Sequence, residues 1–206
     1  MLLVPVATAF EGALLRERLA GRDDVKVVVT GVGPVNAAHA VTVAIAQSSP
    51  RAVVVCGVGG SYPGSGLNVG EVVCAGEECY GDLGAASPSG FLDMKALGFP
   101  VVPGAAPIYN DLPMQVFPVE RRVKFVTVST CSGIDSVARA IAARTGGAVE
   151  SMEGAAIAHV AHLMNVPVGE VRGISNLATN RDVRSWRLRE AAGAAQEALL
   201  AWIDRR

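Results

Sequence analysis

Glu150-Ser151-Met152-Glu153-Gly154-Ala155-Ala156 joins a short extended stretch to an apolar helix with no loop between them. Residues 148–152 read as a strand and 154–164 as a helix, so Met152 and Glu153 stand at the lip of a sheet. A carboxylate there accepts two hydrogen bonds from neighbouring sugar hydroxyls, and a methionine beside it offers a polarisable apolar contact to a ribose or a base. An acid favoured by the helix macrodipole accounts for Glu153 equally well at this level.

The alternation extends outward on both sides. Residues 2–6, 26–30, 52–56, 71–75, 123–129 and 166–174 are apolar or β-branched runs that read as strands. Residues 11–19, 35–47, 134–144 and 185–203 read as helices, with Gly21 a natural stop for the first. This alternation predicts one α/β domain over residues 1–206, with a mainly parallel central sheet covered by helices on both faces. Residues 80–113, rich in Gly, Pro and Ser, interrupt the pattern and read as an irregular segment of functional use.

With 206 residues, 50% hydrophobic and 18% charged, the chain has enough apolar side chains for one core and too many for disorder. A net charge of −1 and the lack of any Lys/Arg run argue against a nucleic-acid partner. No apolar run reaches membrane-spanning length, and residues 1–9 lack the basic start of a signal peptide; the expectation is a cytoplasmic chain without a membrane partner. Cys56, Cys74, Cys79 and Cys131 lack metal-ligand spacing and read as buried thiols, so no metal and no cofactor are expected. The apolar helices suggest subunit pairing, a homo-oligomer of two chains or more.

In such a sheet a ligand site gathers where strands end and helices begin, and the loops after residues 6, 30, 56, 129, 152 and 174 should converge. Glu11 lies in the first loop at a helix start, placed as a general base toward a water or, more plainly, as a capping acid. Gly31-Val32-Gly33-Pro34 and Gly57-Val58-Gly59-Gly60 let backbone N–H groups approach a ligand; tight strand-to-helix turns explain the glycines almost as well. Neither run has the third glycine of a dinucleotide fingerprint, and no Gly-Lys-Ser/Thr follows. Thr130, in the polar run Ser129-Thr130-Cys131-Ser132, offers a hydroxyl to a ligand, but no Gly-x-Ser-x-Gly elbow marks a serine nucleophile. The amide of Asn176, at a strand end, donates to a carbonyl and accepts from a ring N–H at once, or simply shapes its loop. His159 and His162 share a helical face without an acidic partner and read as structural, as does His39.

Taken in order, these motifs resemble the nucleoside phosphorylase and nucleosidase superfamily. The residues that carry the resemblance are Glu11 ahead of Leu14-Leu15, the run Gly31 to Ala38, Gly57 to Gly60, Val69 to Val73, Met152 to Ala158 and Arg172 to Asn176. They span essentially the whole chain, and the Met152-Glu153 turn is the most specific. The chain is similar to the methylthioadenosine/S-adenosylhomocysteine nucleosidases. Through Asp82-Leu83-Gly84, Glu150 to Gly154, Ile174-Ser175-Asn176, Arg181-Asp182 and Trp186 it looks more like the futalosine hydrolase branch, of the alternative menaquinone pathway.

The resemblance implies a single-domain, three-layer α/β/α nucleoside phosphorylase-like fold with a mixed, mainly parallel central sheet, and N-glycosidic hydrolysis of futalosine to hypoxanthine and dehypoxanthinyl futalosine. It implies that Glu153 holds the ribose hydroxyls, Met152 packs on the sugar, Gly59 and Gly60 line the nucleoside, and Glu11 activates the water. Where the methylthioadenosine nucleosidases carry an Asp for the purine, this chain has Asn176. An amide suits the carbonyl of a 6-oxopurine better than the amino group of adenine, and it does not readily supply a proton. Asn176 is then expected to stabilise a leaving hypoxanthine through O6 and N7, with Asp182 or Arg181 assisting. The hexameric phosphorylases carry an Arg and a Ser where this chain has Val55 and Val58, and an apolar pair does not clamp a phosphate dianion. Water is therefore the expected nucleophile; the alternative is a nucleosidase or phosphorylase for inosine-like 6-oxopurine nucleosides.

Overall fold

The computed structural model describes all 206 residues. In chain order the elements are β1 (Leu2–Val6), α1 (Ala13–Arg18), β2 (Val25–Val29), α2 (Pro34–Ser48), β3 (Ala52–Ser61), β4 (Val72–Tyr80), β5 (Ala85–Ser87), β6 (Gly90–Leu92), α3 (Met94–Leu97) and β7 (Leu112–Pro113). They continue with β8 (Arg122–Thr127), α4 (Asp135–Thr145), β9 (Val149–Ser151), α5 (Gly154–Leu163), β10 (Val168–Leu177), a short 3-10 turn (Val183–Ser185) and α6 (Leu188–Asp204). Residues 80–113 are not wholly irregular, since they hold the β5–β6 hairpin, α3 and β7. His159 Nε2 donates to Val101 O at 2.5 Å and His162 Nε2 to Pro113 O at 3.0 Å, so both histidines of α5 pin this segment to the body.

The central sheet is mixed and mainly parallel. β1 pairs in parallel with β2 and β3, β3 with β10, and β8 with β4 and β9; the pairs β10–β4, β3–β9 and β4–β7 are antiparallel. The β3–β10–β4–β8–β9–β3 pairings close on themselves, so part of the sheet is a small barrel rather than an open layer. Closure explains where the strand lengths depart from the sequence reading. Gly57-Val58-Gly59-Gly60 is strand, not a turn, because β3 keeps pairing with β10 as far as Ser61. Likewise β4 runs on to Tyr80 beside β8, and β10 carries Ser175 and Asn176 inside its ladder. Two bulges steer side chains. The register shifts at Gly76, between Ala75 and Glu77, and at Ser175, between Ile174 and Asn176. Past the first bulge Glu78 turns fully inward while Glu77 stays toward solvent with Lys124.

Side chains alternate between the two faces. Leu3, Val53 and Val55 meet α2 and α5 in one apolar cluster; Leu2, Val4, Val6, Val54 and Cys56 meet α1 and α6 in another. A smaller third cluster lies under α4, around Tyr62 and Val126. α1 has no side-chain cap of its own, because Gly12 stands at its start. Buried Gln196 of α6 supplies one: its Oε1 accepts from Leu14 N at 2.9 Å and Leu15 N at 3.2 Å. That fixes the turn from which Glu11 projects.

Helix α6 lies close against β10. A Cβ on Gly173 would collide with the Ala191 backbone, while one on Gly193 would meet open space. Gly173→Ala is expected to lose about 1–3 kcal/mol, as overpacked sites do. Gly193→Ala should be neutral or gain about 0.5–1 kcal/mol from the lower freedom of the unfolded chain. Urea titrations of the two variants check the pair; equal midpoints would contradict this close packing.

Candidate active site

A cavity of about 280 Å³ opens at the ends of the strands. Its wall is built by Ala7 and Glu11 after β1, Val32 after β2, Val58 to Gly60 in β3, Cys131 and Ser132 after β8, Glu150 to Glu153 around β9, and Arg172 and Ser175 to Leu177 in β10 with Ala178 and Thr179 just beyond it. Arg181, Trp186 and Leu188 close one side. Residues from all six stretches expected to converge meet here, although those after residues 56 and 174 are strand and not loop.

Three buried carboxylates, Glu11, Glu150 and Glu153, contribute to this wall. Glu11 Oε1 accepts from Val58 N at 3.1 Å, and its Oε2 from Thr8 Oγ1 at 2.8 Å. Its partners thus come from a neighbouring strand and from its own turn, not from the amides of α1. Glu153 Oε1 accepts from Gly33 N at 3.1 Å, and its Oε2 from Arg172 Nη2 at 3.2 Å. Gly33 reaches it because φ is +94°, in the left-handed region that glycine adopts freely, just ahead of Pro34 at the start of α2. The anion approached by the glycine turn is thus the protein's own side chain. A carboxylate has about four lone-pair sites. Each oxygen of Glu153 spends one on these bonds and keeps one, which suits a pair of vicinal hydroxyls.

Arg172 holds the floor together. It is 2% exposed, donating through Nε to Glu170 Oε1 at 2.5 Å, through Nη1 to Val58 O at 2.7 Å and through Nη2 to Glu153. Burial alone would depress the guanidinium's proton affinity; the charges of Glu170, Glu153 and Glu11 reverse this and raise it above its ordinary value. Gly57 makes the arrangement possible, since a Cβ there would sit 2.8 Å from Glu11 Oε1 and 3.1 Å from Arg172 Nη1. Arg172 and Glu150 stood in the quoted motifs without a role of their own, and Glu170 was not singled out. Charged residues inside runs as apolar as 168–174 were the available signal.

Asn176 lines the cavity beyond the Ser175 bulge. Its Oδ1 accepts from Ser175 Oγ at 2.7 Å and its Nδ2 donates to Leu177 O at 3.1 Å, which fixes the plane of the amide. Met152 lies beside it in the wall, its sulfur receiving the Cys131 thiol at 3.3 Å. Gly59 and Gly60 leave strand backbone facing the cavity: a Cβ at Gly59 would sit 2.6 Å from Val149, and one at Gly60 would sit 3.1 Å from Asn176 Nδ2.

Two expected residues lie elsewhere. Thr130 is exposed outside the cavity, because the turn after β8 presents Cys131 and Ser132 instead. Glu150 fixes that turn by accepting from Ser132 N at 2.9 Å, from the Ser132 hydroxyl and from Tyr62 OH at 2.9 Å. Asp182 also lies outside the wall. It caps the 3-10 turn by accepting from Arg184 N at 3.2 Å and Arg184 Nε at 3.0 Å, and its hydrogen bonds with Arg184 hold its carboxyl below the usual range. Its neighbour Arg181 does line the cavity, with its guanidinium 4.8 Å from the Trp186 ring centre.

The family profile described as the phosphorylase superfamily matches residues 4–204. The chain belongs to the phosphorylase superfamily. Among superfamily members, it is 33% identical to the futalosine hydrolase of Thermus thermophilus over 82% of this chain and 77% of that protein. It is 34% identical to the futalosine hydrolase of Streptomyces coelicolor over 84% of this chain and 75% of that one. The 5'-methylthioadenosine/S-adenosylhomocysteine nucleosidase of Colwellia psychrerythraea, solved with adenine, shares the fold at a TM-score of 0.83 and 21% identity, over 99% of this chain and 94% of that one. The chain is an N-glycosyl hydrolase of the superfamily.

Removing Arg172 strands its carboxylate partners in a buried site. Arg172→Met is expected to cost about 3–5 kcal/mol, the range for breaking one side of a buried ion pair. The deficit should shrink as the pH falls, since protonation removes the unpaired charges. Thermal unfolding of both proteins at several pH values checks this; a deficit that grows on acidification would contradict it.

Proposed function

We propose that the protein hydrolyses the N-glycosidic bond of futalosine, releasing hypoxanthine and dehypoxanthinyl futalosine, as one nucleosidase domain over residues 1–206. The observation that carries the reading is the pair of buried carboxylates Glu11 and Glu153 on one cavity wall beside an amide, Asn176. The futalosine hydrolases among its relatives support the substrate. Glu153 accepts both ribose hydroxyls and Met152 packs against the sugar. Water adds to C1′ and gives its proton to Glu11, while the C–N bond breaks with its electron pair passing to the base, which leaves as its anion and takes a proton from solvent to become hypoxanthine as Glu11 returns its own proton to solvent. Asn176 meets O6 and N7 of the departing hypoxanthine.

Water rather than phosphate fits the wall. Val58 lines the cavity, Val55 is buried in the core, and the donors of Arg172 are directed at Glu170, Glu153 and Val58 O. The nucleophile's side therefore presents carboxylates, which repel a dianion and favour the cation-like ribose of the transition state.

Glu153→Gln should lose at least about tenfold in kcat/KM, the worth of one charge-assisted hydrogen bond. Glu11→Ala should lose about 10²–10⁴-fold in kcat with substrate binding kept. Near-normal turnover in either variant, both folded, removes that role. Hypoxanthine release with and without phosphate tests the choice of nucleophile.

The amide reading makes a separate prediction. Asn176→Asp should weaken 6-oxopurine turnover and admit some 6-amino substrate, because a site built for one hydrogen-bonding edge leaves groups unpaired against the other. Comparing hypoxanthine with adenine release by wild type and variant decides it. A wild type that cleaves the 6-amino analogue as fast as futalosine contradicts the role.

We also propose a cytoplasmic homo-oligomer. Val35 and Val43 of α2 and Leu163 at the end of α5 are exposed on packed neighbouring helices, a face suited to a second copy. No helix is long and apolar enough to cross a membrane, and all cysteines are free. Sedimentation as a monomer would exclude the pairing.

A further inference from the structure

Beneath the cavity lie two buried acids that take no part in the mechanism. Glu78 of β4 and Glu170 of β10 are both fully buried. A Cβ added to Gly154 would collide with Glu78 Oε1 and Glu170 Oε2 together, so the two oxygens converge on one point under the start of α5. Glu170 Oε2 has no hydrogen-bond partner, although Oε1 of the same carboxylate takes Arg172 Nε. Such an orphaned buried acceptor calls for a donor.

The neighbouring bonds show which atom carries it. Ala155 N donates to Thr127 Oγ1 at 2.7 Å, so the Thr127 hydroxyl hydrogen is free to point at Glu78 Oε2, 3.1 Å away. Glu78 Oε2 is thereby an acceptor. Glu78 Oε1 remains, facing Glu170 Oε2, with only Ser151 Oγ nearby at 3.5 Å. A proton on Glu78 Oε1 satisfies the orphan.

We infer that Glu78 is held as a neutral carboxylic acid that donates to Glu170, and that the hydrogen-bonded chain Thr127–Glu78–Glu170–Arg172–Glu153, in which Glu170 accepts from both neighbours and Arg172 donates to both, is a positioning device for the sugar-holding carboxylate. The chain starts at the α5 amide of Ala155 and ends at Glu153, which stands just before the same helix. Every link then has one donor and one acceptor. With Glu78 ionised instead, two carboxylates would face each other across Gly154, and Glu170 would draw Arg172 away from Glu153.

The charges around Glu78 support the proton. Burial first, then the charge of Glu170 and the hydrogen bond shared with it, raise the Glu78 carboxyl well above its ordinary range; Arg172 and the Thr127 hydroxyl oppose them. Thr127 of β8, Ser151 of β9 and Ala155 of α5 bring no charge, and Cys79 and Tyr80, next along β4, are themselves held neutral by burial. The raised carboxyl adds stability that is complete below the ordinary carboxylate range and is lost as the pH rises toward the folded value.

Glu78→Gln mimics the protonated acid, with an amide N–H for Glu170 and a carbonyl for Thr127. The inference rests on Glu153 holding the sugar, so the experiment has one arm independent of turnover. Infrared difference spectra at neutral pH should show a protonated-carboxyl stretch in wild type that disappears in Glu78→Gln, and thermal stability of the variant should be flatter with rising pH. Futalosine turnover should stay within about threefold of wild type in Glu78→Gln, whereas Glu170→Gln, which removes the charge facing Arg172, should lose at least about tenfold, the worth of a charge-assisted hydrogen bond. Glu78→Leu should behave like Glu170→Gln, so that the amide rescues what the apolar residue loses. Absence of the protonated-carboxyl band in wild type, or its persistence in Glu78→Gln, overturns the inference whatever the substrate proves to be. Loss of turnover in Glu78→Gln as large as in Glu170→Gln overturns the positioning role. A wild type inert toward futalosine rejects the functional reading alone and leaves the spectroscopic arm to decide the proton.

Discussion

Arg172 is the cation on which the floor of the site is built. A buried guanidinium is costly to desolvate, and its position is tolerable only while carboxylates and a carbonyl surround it. Glu170, Glu153 and Val58 O meet that requirement from three directions. The demand reaches into the backbone. Gly57 has no side chain because Arg172 and Glu11 occupy the space where one would lie, and Gly154 has none because Glu78 and Glu170 converge there. Glycines that look like loop punctuation are here clearances around a charge network.

The closed part of the sheet is what gathers these groups. Glu78 arrives from β4, Glu170 and Arg172 from β10, Val58 from β3 and Glu153 from the end of β9. In an open sheet such residues would lie in a row along strand ends; pairing β10 with both β3 and β4 brings them around one centre. The bulges at Gly76 and Ser175 complete the placement, since each inserts one residue and resets which side chains face inward.

An excess of carboxylate over cation at a cavity floor is unfavourable for an anionic nucleophile and favourable for a ribosyl cation. The same imbalance needs management in the folded protein at rest. A shared proton between the two deepest acids lowers the net charge while leaving Glu11 and Glu153, which face the cavity, free to act. Binding chemistry and fold stability are thus coupled through one side chain, Arg172.

The sequence by itself determined the order of the main strands and helices and the sheet's mainly parallel character, because period-two burial and short glycine turns are local properties; the superfamily followed from the resemblance of the ordered motifs. Leu2, Val4 and Val6 pack on one face and Leu3 on the other, as alternation requires. The places of Glu11, Met152, Glu153 and Asn176 along the cavity wall were legible for the same reason: each sits at a strand end or helix start. What only the tertiary structure decided were the contacts between residues distant in the chain. The closure of β3, β10 and β4 turned an expected glycine loop into strand. The turn after β8 presents Ser132 and not Thr130, because Glu150 holds it. Asp182 spends its carboxylate on Arg184 beside it. Glu78 and Glu170 lie far apart in sequence, and neither carries a motif; their meeting depends on two strands pairing antiparallel and on a helix that begins with glycine above them.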